Sequence, residues 1–165
     1  MTTRKAIALA GLVLALAILS PASALAKAGG TDRPLKGIIS GTVSLNTLTG
    51  SFTGDATGVA SHLGEFTAHQ EGTVGPTPEG IRGSSTWTIV ADNGDKVTGT
   101  ATLKVEGLPS AAHTTTQFST ITGGTGRFAD ATGKFTTIYH VTPGSFDGVT
   151  LRNSSEGTTT GQISY

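Results

Sequence analysis

The sequence predicts an all-β protein, an eight-stranded antiparallel up-and-down β-barrel that follows a signal peptide. From Gly37 to Tyr165, segments of about ten residues alternate with turn signals, the spacing typical of barrels and sandwiches. No window has the apolar periodicity of a helix, and 24 glycines accompany abundant threonine, which favours pleated strands. Eight strands joined by short loops are enough to close a barrel.

The N-terminal segment predicts secretion. Arg4 and Lys5 precede an apolar run from Ala6 to Leu19, and two Ala-x-Ala cleavage sites follow. This layout is typical of a secretory signal peptide, which we assign to residues 1–26. The run is shorter than the roughly 20 residues that a spanning helix needs, so we expect no stable membrane anchor.

Cleavage before Lys27 would leave one domain. Residues 27–36 contain Gly-Gly, Asp and Pro without periodicity and predict a flexible leader, and residues 37–165 form the barrel domain. The chain has no cysteine, which excludes disulfides, thiol catalysis and thiolate metal sites. Its core and strand ladders must therefore stabilise it alone.

Charge excludes two classes of partner. Without residues 1–26 the chain carries nine Lys and Arg residues against 11 Asp and Glu residues, with no basic cluster. Nucleic acid and anionic membranes both bind through clustered positive charge. We therefore predict neither as a partner.

The predicted strands follow one another with turn residues between them. The third and fourth are separated by a Pro- and Gly-rich loop, and the fourth and fifth by Asn93-Gly94, a strong hairpin signal. Their approximate bounds are Gly37–Leu45, Ser51–Ala60, Leu63–Val74, Ile81–Ala91, Lys96–Glu106, Thr114–Thr122, Gly133–Thr142 and Val149–Tyr165.

Strand alternation also predicts a candidate binding site. In the fifth strand every second residue from Val97 to Val105 is apolar or Gly, whereas the intervening residues are polar. An inward apolar face here and on the neighbouring strands would surround either a filled core or a cavity, and the sequence leaves both open. The cavity candidates are Glu65, Trp87, Ile89, Ala101, Leu103, Phe135 and Tyr139.

The most specific string is Ile121 to Gly133. Its segment Gly124–Ala129 matches the Gly-x-Gly-x-x-Ala dinucleotide fingerprint, but that site requires a helix after the glycines. The following residues alternate with period two and are rich in Thr and Gly, which predicts a strand. We therefore predict a structural turn in which Gly123, Gly124 and Gly126 allow positive φ, Arg127 is exposed and Phe128 is buried.

This string carries a family resemblance. Ile-Thr-Gly-Gly-Thr-Gly-x-Phe, followed by Gly133, resembles the glycine-rich turn of plant allene oxide cyclases and of dirigent proteins, and also bacterial secreted proteins with such a barrel. The resemblance implies an eight-stranded barrel with an apolar cavity, acting without cofactors in cyclisation or radical coupling of apolar substrates. The plant relatives are dimers or trimers, so it also implies a homo-oligomer. No catalytic residue can be matched position by position.

Metal and hydrolytic chemistry receive no support. His62, His69, His113 and His140 lack the close spacing of metal ligands, so we predict no metal site. Serine, histidine and aspartate are present, but no Gly-x-Ser-x-Gly nucleophile elbow accompanies them. Whether the protein is an enzyme stays open.

Two functions remain. The first is a secreted barrel that binds a small apolar molecule in its interior and guides a cofactor-free cyclisation or isomerisation. The alternative is a non-catalytic extracellular or surface module, which the Thr-rich exterior favours.

Overall fold

The computed structural model describes residues 30–165. The predicted signal peptide, and residues 27–29 of the predicted leader, lie outside the described residues. Throughout the described part the secondary structure is β, apart from one short 3₁₀ turn at Gly126–Phe128.

Eight antiparallel strands close into one barrel, as predicted. Each strand pairs with the next in the sequence, and the first closes the ring by pairing with the last. Their bounds are β1 Asp32–Asn46, β2 Ser51–Ala60, β3 Gly64–Thr77, β4 Gly80–Ala91, β5 Lys96–Glu106, β6 His113–Gly124, β7 Thr132–Phe146 and β8 Thr150–Ser164.

The first strand begins earlier than predicted. Asp32–Lys36, assigned to a flexible leader, lies in β1, where Asp32 is opposite Ser164 and Leu35 is buried. Gly, Asp and Pro are local turn signals, but pairing with β8 along the whole of β1 outweighs them. The leader prediction is therefore wrong for these five residues.

Side chains alternate between the interior and the solvent along every strand. Odd-numbered residues face inward in β1 and in β4 to β8, up to the register shift after Pro143 in β7, whereas even-numbered residues face inward in β2 and β3. On β5 the predicted apolar face, from Val97 to Val105, is buried throughout. The predicted inward face of β7, which includes Phe135 and Tyr139, also faces the interior.

The two ends of the barrel differ. At one end, which we call the sealed end, lie loops 61–63, 92–95 and 125–131 together with the start of β1 and the end of β8. At the other end, which we call the mouth, lie loops 47–50, 78–79, 107–112 and 147–149. An antiparallel meander places alternate hairpin loops at opposite ends.

Phe128 closes the sealed end. Its side chain is 0% exposed and packs edge-on against Tyr165, with 4.8 Å between the ring centroids. The Arg33 guanidinium lies 4.4 Å from the centroid of the same tyrosine ring. The predicted burial of Phe128 is confirmed, and its loop forms a plug.

The glycines of this loop serve two purposes. Gly123 and Gly126 have φ values of 141° and 57°, which only glycine adopts readily, as predicted. Gly124 differs, because its φ is not positive and a Cβ there would overlap with the Lys96 carbonyl oxygen. Arg127 is exposed, as predicted, and its Nη2 donates a hydrogen bond of 2.8 Å to the His62 carbonyl.

Candidate functional site

The barrel interior is only partly filled. It contains a cavity of about 140 Å³, lined by residues from Leu35 and Leu63 near the sealed end to Pro109 and His113 at the mouth. One water needs roughly 10–15 Å³ in such a measure, so the cavity is far larger than a single solvent site. The sequence left open a filled core or a cavity, and the structure contains both a buried apolar cluster and this cavity.

Aromatic rings lie against glycines on neighbouring strands, where no side chain competes for the space. A Cβ added to any of these glycines would come too close to ring atoms of its aromatic neighbour. The arrangement recurs as Trp87 on Gly99, Phe66 on Gly58 and Tyr139 on Gly157. Trp87 on β4 also meets Phe135 on β7, with 5.2 Å between the ring centroids, so these rings cross part of the barrel interior.

Polar side chains also face the interior, and most of them pair with each other. Gln70 Nε2 donates to Ser85 Oγ at 2.7 Å, and Gln117 Nε2 donates to Ser119 Oγ at 3.0 Å. On β7 and β8, beside Gln117, the hydroxyl oxygens of Thr137 and Thr159 lie 2.8 Å apart. The cavity therefore combines apolar surface with a belt of hydrogen-bonding groups.

Two residues that line the cavity each carry a buried polar atom without a partner. Among the buried side-chain polar atoms of residues 30–165, only Trp87 Nε1 and Gln117 Oε1 lack a hydrogen bond. Both residues line the cavity, and they are 5% and 4% exposed. An unpaired buried donor or acceptor costs about 1–3 kcal/mol, so each of these atoms weakens the packing around the cavity.

Two charge-bearing residues border the cavity from outside, whereas His113 lines it at the mouth. Asp55 and His69 lie on β2 and β3, but their side chains are largely exposed and pair with each other at 2.7 Å. Within the cavity, burial raises the pKa of Tyr139 to about 12, so its phenol stays neutral at physiological pH. The arrangement suits an uncharged occupant.

The β5–β6 loop covers part of the mouth. Pro109 of this loop lines the cavity, and its carbonyl accepts a hydrogen bond of 3.1 Å from Asn153 Nδ2. The backbone N–H of Gly144 donates to the Oδ1 atom of the same asparagine at 3.4 Å. Asn153 thus ties this loop to β7 and β8 across the mouth.

Most of the predicted cavity residues meet at this site. Trp87, Ile89, Leu103, Phe135 and Tyr139 all line the cavity. Ala101 faces inward and is buried opposite Ser119, but it does not line this cavity.

The prediction for Glu65 is wrong. Its side chain is exposed on the outer wall, because β3 begins at Gly64 and directs Phe66, Ala68 and Gln70 inward. The preceding turn contains His62 with a φ of 69°, which changes the face that a count from Leu63 would give. Gln70 is the polar β3 residue that lines the cavity.

Sequence reasoning missed Gln117 and its neighbours on β6. Ile121 is buried, and every second residue before it on the strand faces the same way. This alternation would have placed Ser119, Gln117 and Thr115 inside the barrel. Phe118 gave the opposite signal, because an aromatic residue on a strand predicts an inward face. In the structure Phe118 is 51% exposed on the outer wall.

Residues 30–165 lack two other kinds of site. These residues contain no group of three or more His, Asp or Glu side chains arranged to hold a metal ion. The same part of the chain contains no helix that is both long enough and apolar enough to span a membrane.

Comparison with known proteins gives no further assignment. No protein-family model matches the chain, and no curated protein or solved structure is significantly similar to it. The cavity and its lining are therefore the basis for a functional proposal.

Proposed function

We propose that this protein is a secreted β-barrel that binds a small apolar molecule in its interior. The observation that carries the proposal is the cavity of about 140 Å³ inside a closed barrel. Pockets for small molecules are mostly apolar with a few placed polar groups, and this lining has that character. The signal-like sequence of residues 1–26 supports secretion.

We further propose that the barrel belongs with the allene oxide cyclase-like and dirigent-like proteins and guides a cofactor-free cyclisation or isomerisation. Two features support this: the eight-stranded closed meander and the glycine turn ending in Phe128. An apolar cavity of this kind would hold a flexible substrate in a folded shape, which favours intramolecular reaction. The proposal assigns no catalytic residue.

The single tryptophan makes ligand binding measurable. Trp87 lines the cavity and is the only tryptophan in the chain, so its fluorescence should report occupancy. We expect a saturable change in emission when small apolar compounds are titrated into protein produced from the full chain. Mass spectrometry of a solvent extract should also identify any molecule that co-purifies.

A matched pair of substitutions provides the control. Gly54 lines the cavity and has space around it, with the nearest atoms 3.5 Å from a built Cβ, so Gly54→Leu should fill the cavity and weaken binding. Gly75 has no atom within 4 Å of a built Cβ and lies outside the cavity, so Gly75→Leu should leave binding unchanged. If no compound changes the emission and the extract is empty, the proposal is wrong.

A second candidate is an extracellular interaction module. Ile38 and Val59 are opposite each other on β1 and β2, point outward, and are 64% and 50% exposed. Adjacent exposed apolar side chains favour a protein contact, including a homo-oligomer. Light scattering should then show assembly that Ile38→Ser reduces, whereas a monomeric wild type would count against a homo-oligomer.

A further inference from the structure

We propose that the mouth of the barrel docks on a lipid surface without net charge. The contact is made by four exposed side chains, which we call the apolar rim: Leu48, Leu108, Phe146 and Val149. This inference goes beyond the proposed function, because the contact requires no molecule in the cavity.

Exposed apolar side chains distinguish the mouth from the sealed end. Leu48, Leu108 and Val149 lie in mouth loops, Phe146 ends β7, and they are 78%, 66%, 39% and 59% exposed. The other large apolar side chains that are exposed in residues 30–165 lie on the outer wall, and none lies at the sealed end. The loops of the sealed end instead carry three aspartates and one arginine. Clustered exposed apolar side chains are typical of a contact with a protein or a membrane.

Hydrogen bonds join the segments that carry the rim. The backbone N–H and the hydroxyl of Thr47 both donate to the Val149 carbonyl, at 2.8 and 2.9 Å, so the β1–β2 and β7–β8 loops are connected. Asn153 on β8 donates to the carbonyl of Pro109 in the β5–β6 loop at 3.1 Å. Phe146 comes directly before the β7–β8 loop. The four side chains therefore belong to one connected surface.

The charges around the rim fit a lipid surface without net charge. The four mouth loops contain Glu79 and Asp147 and no Lys or Arg. Six charged residues lie in these loops or within three positions of them, and their formal charges sum to zero: Glu79, Arg82, Lys104, Glu106, Asp147 and Arg152. Anionic membranes attract clusters of Lys and Arg, whereas uncharged lipid surfaces are bound through buried apolar area.

The cavity extends to this rim. Its lining includes Pro109, which follows Leu108 in the chain, and His113 at the start of β6. A protein seated on the rim would cover this part of the cavity. A lipid surface would instead place apolar molecules next to it, so lipid is the partner that suits both the rim and the cavity.

A tryptophan placed in the rim tests the contact directly, on protein produced from the full chain. In a Trp87→Phe background the reporter is the only tryptophan, and Phe146→Trp puts it in the rim. We expect phosphatidylcholine vesicles with brominated acyl chains to quench its emission by about twofold or more, because the rim inserts into the interface. Phe118→Trp in the same background is the matched control on the outer wall and should not be quenched.

Serine substitutions then measure the contribution of the rim. Adding Leu48→Ser and Leu108→Ser to the rim reporter should raise the lipid concentration for half-maximal quenching at least about tenfold, since two apolar side chains are lost from the contact. Adding Ile38→Ser and Val59→Ser removes two exposed apolar side chains from the outer wall and should leave it unchanged. Should Trp87→Phe not fold, both reporters are compared with wild type, whose Trp87 gives the background.

Three results would overturn the inference. The first is equal quenching, or none, of the rim and wall reporters. The second is quenching of the rim reporter only when the vesicles contain anionic phosphatidylglycerol. The third is assembly of the lipid-free protein, measured by light scattering, that Leu48→Ser and Leu108→Ser abolish, because the rim would then be a protein interface. None of them affects the binding function, which the Trp87 titrations test without lipid.

Discussion

The indole ring of Trp87 packs directly on Gly99, its partner on the adjacent strand β5. A Cβ at Gly99 would overlap both with Cζ2 of that ring and with the Thr120 carbonyl oxygen on the other side. The small residue on β5 and the large residue on β4 therefore form one unit, which fixes where the indole lies in the cavity wall.

Because of this contact, we expect the addition of one methyl group at Gly99 to lower the stability of the barrel. Gly99→Ala should destabilise the barrel by about 1–3 kcal/mol, because overpacking forces the ring or the strand to move. Gly54→Ala is the control, since its Cβ would make ordinary contacts at 3.5 Å. Chemical denaturation should separate the two variants, and equal stability would contradict the proposed packing.

Because the phenol of Tyr139 is buried, we expect the folded protein to lose stability at high pH. Burial raises the pKa of its phenol from 10.0 to about 12. Since the folded-state pKa is the higher one, the buried neutral phenol stabilises the fold fully below pH 10, and this contribution declines as the pH rises toward 12. Tyr139→Phe should lose less stability than wild type over that interval in denaturation measured at a series of pH values. Parallel curves would show that the phenol stays accessible.

Phe128 should be essential to the sealed end. Phe128→Ala removes a fully buried ring and should cost about 3–5 kcal/mol, measured by thermal or denaturant unfolding. Phe118→Ala removes an equally large ring from the outer wall and should cost less than about 1 kcal/mol. A small effect at Phe128 would mean that the plug does not contribute to the core.

Asn153 should control the loop at the mouth. Asn153→Ala removes the hydrogen bond to the Pro109 carbonyl, worth about 1 kcal/mol, and should speed amide exchange in residues 107–112 roughly fivefold. Residues 147–149 of the neighbouring loop provide an internal control, because their bonds to Asp147 do not involve Asn153. Unchanged exchange in residues 107–112 would show that other contacts hold the loop.

The sequence predicted the strands well because alternation is a local property. On β5 each polar residue faces solvent and each apolar residue or glycine faces inward, so local pattern and final position agree. The start of β1 could not be predicted this way. Asp32–Lys36 owes its strand conformation to β8, more than 120 residues away in the chain.

The candidate site was predicted only in its apolar half. Trp87, Phe135 and Tyr139 follow from hydrophobic burial, which the sequence pattern records. Gln117 is inward for another reason: register with β5 and β7 places it opposite Leu103 and Thr137. Glutamine carries no sequence signal for burial, and exposed Phe118 beside it suggested the opposite face.

Only part of the sealed end could be predicted, because its contacts join residues that are distant in the sequence. Phe128 was identified from its glycine-rich surroundings, whereas the ring that packs on it, Tyr165, belongs to the far end of the chain. Contacts of this kind depend on barrel closure and not on neighbouring residues. They become visible only when β1 and β8 are brought together.

The position of the first and last described residues at the sealed end has a practical consequence. Gly30 and Ser164 are hydrogen-bonded to each other there, on the opposite side of the barrel from the loop that carries Pro109. A tag, a fusion partner or a solid support attached after Tyr165 would therefore leave the mouth free. A protein immobilised this way on a sensor surface would present its entrance to the solution, in one orientation, for screening volatile or sparingly soluble compounds.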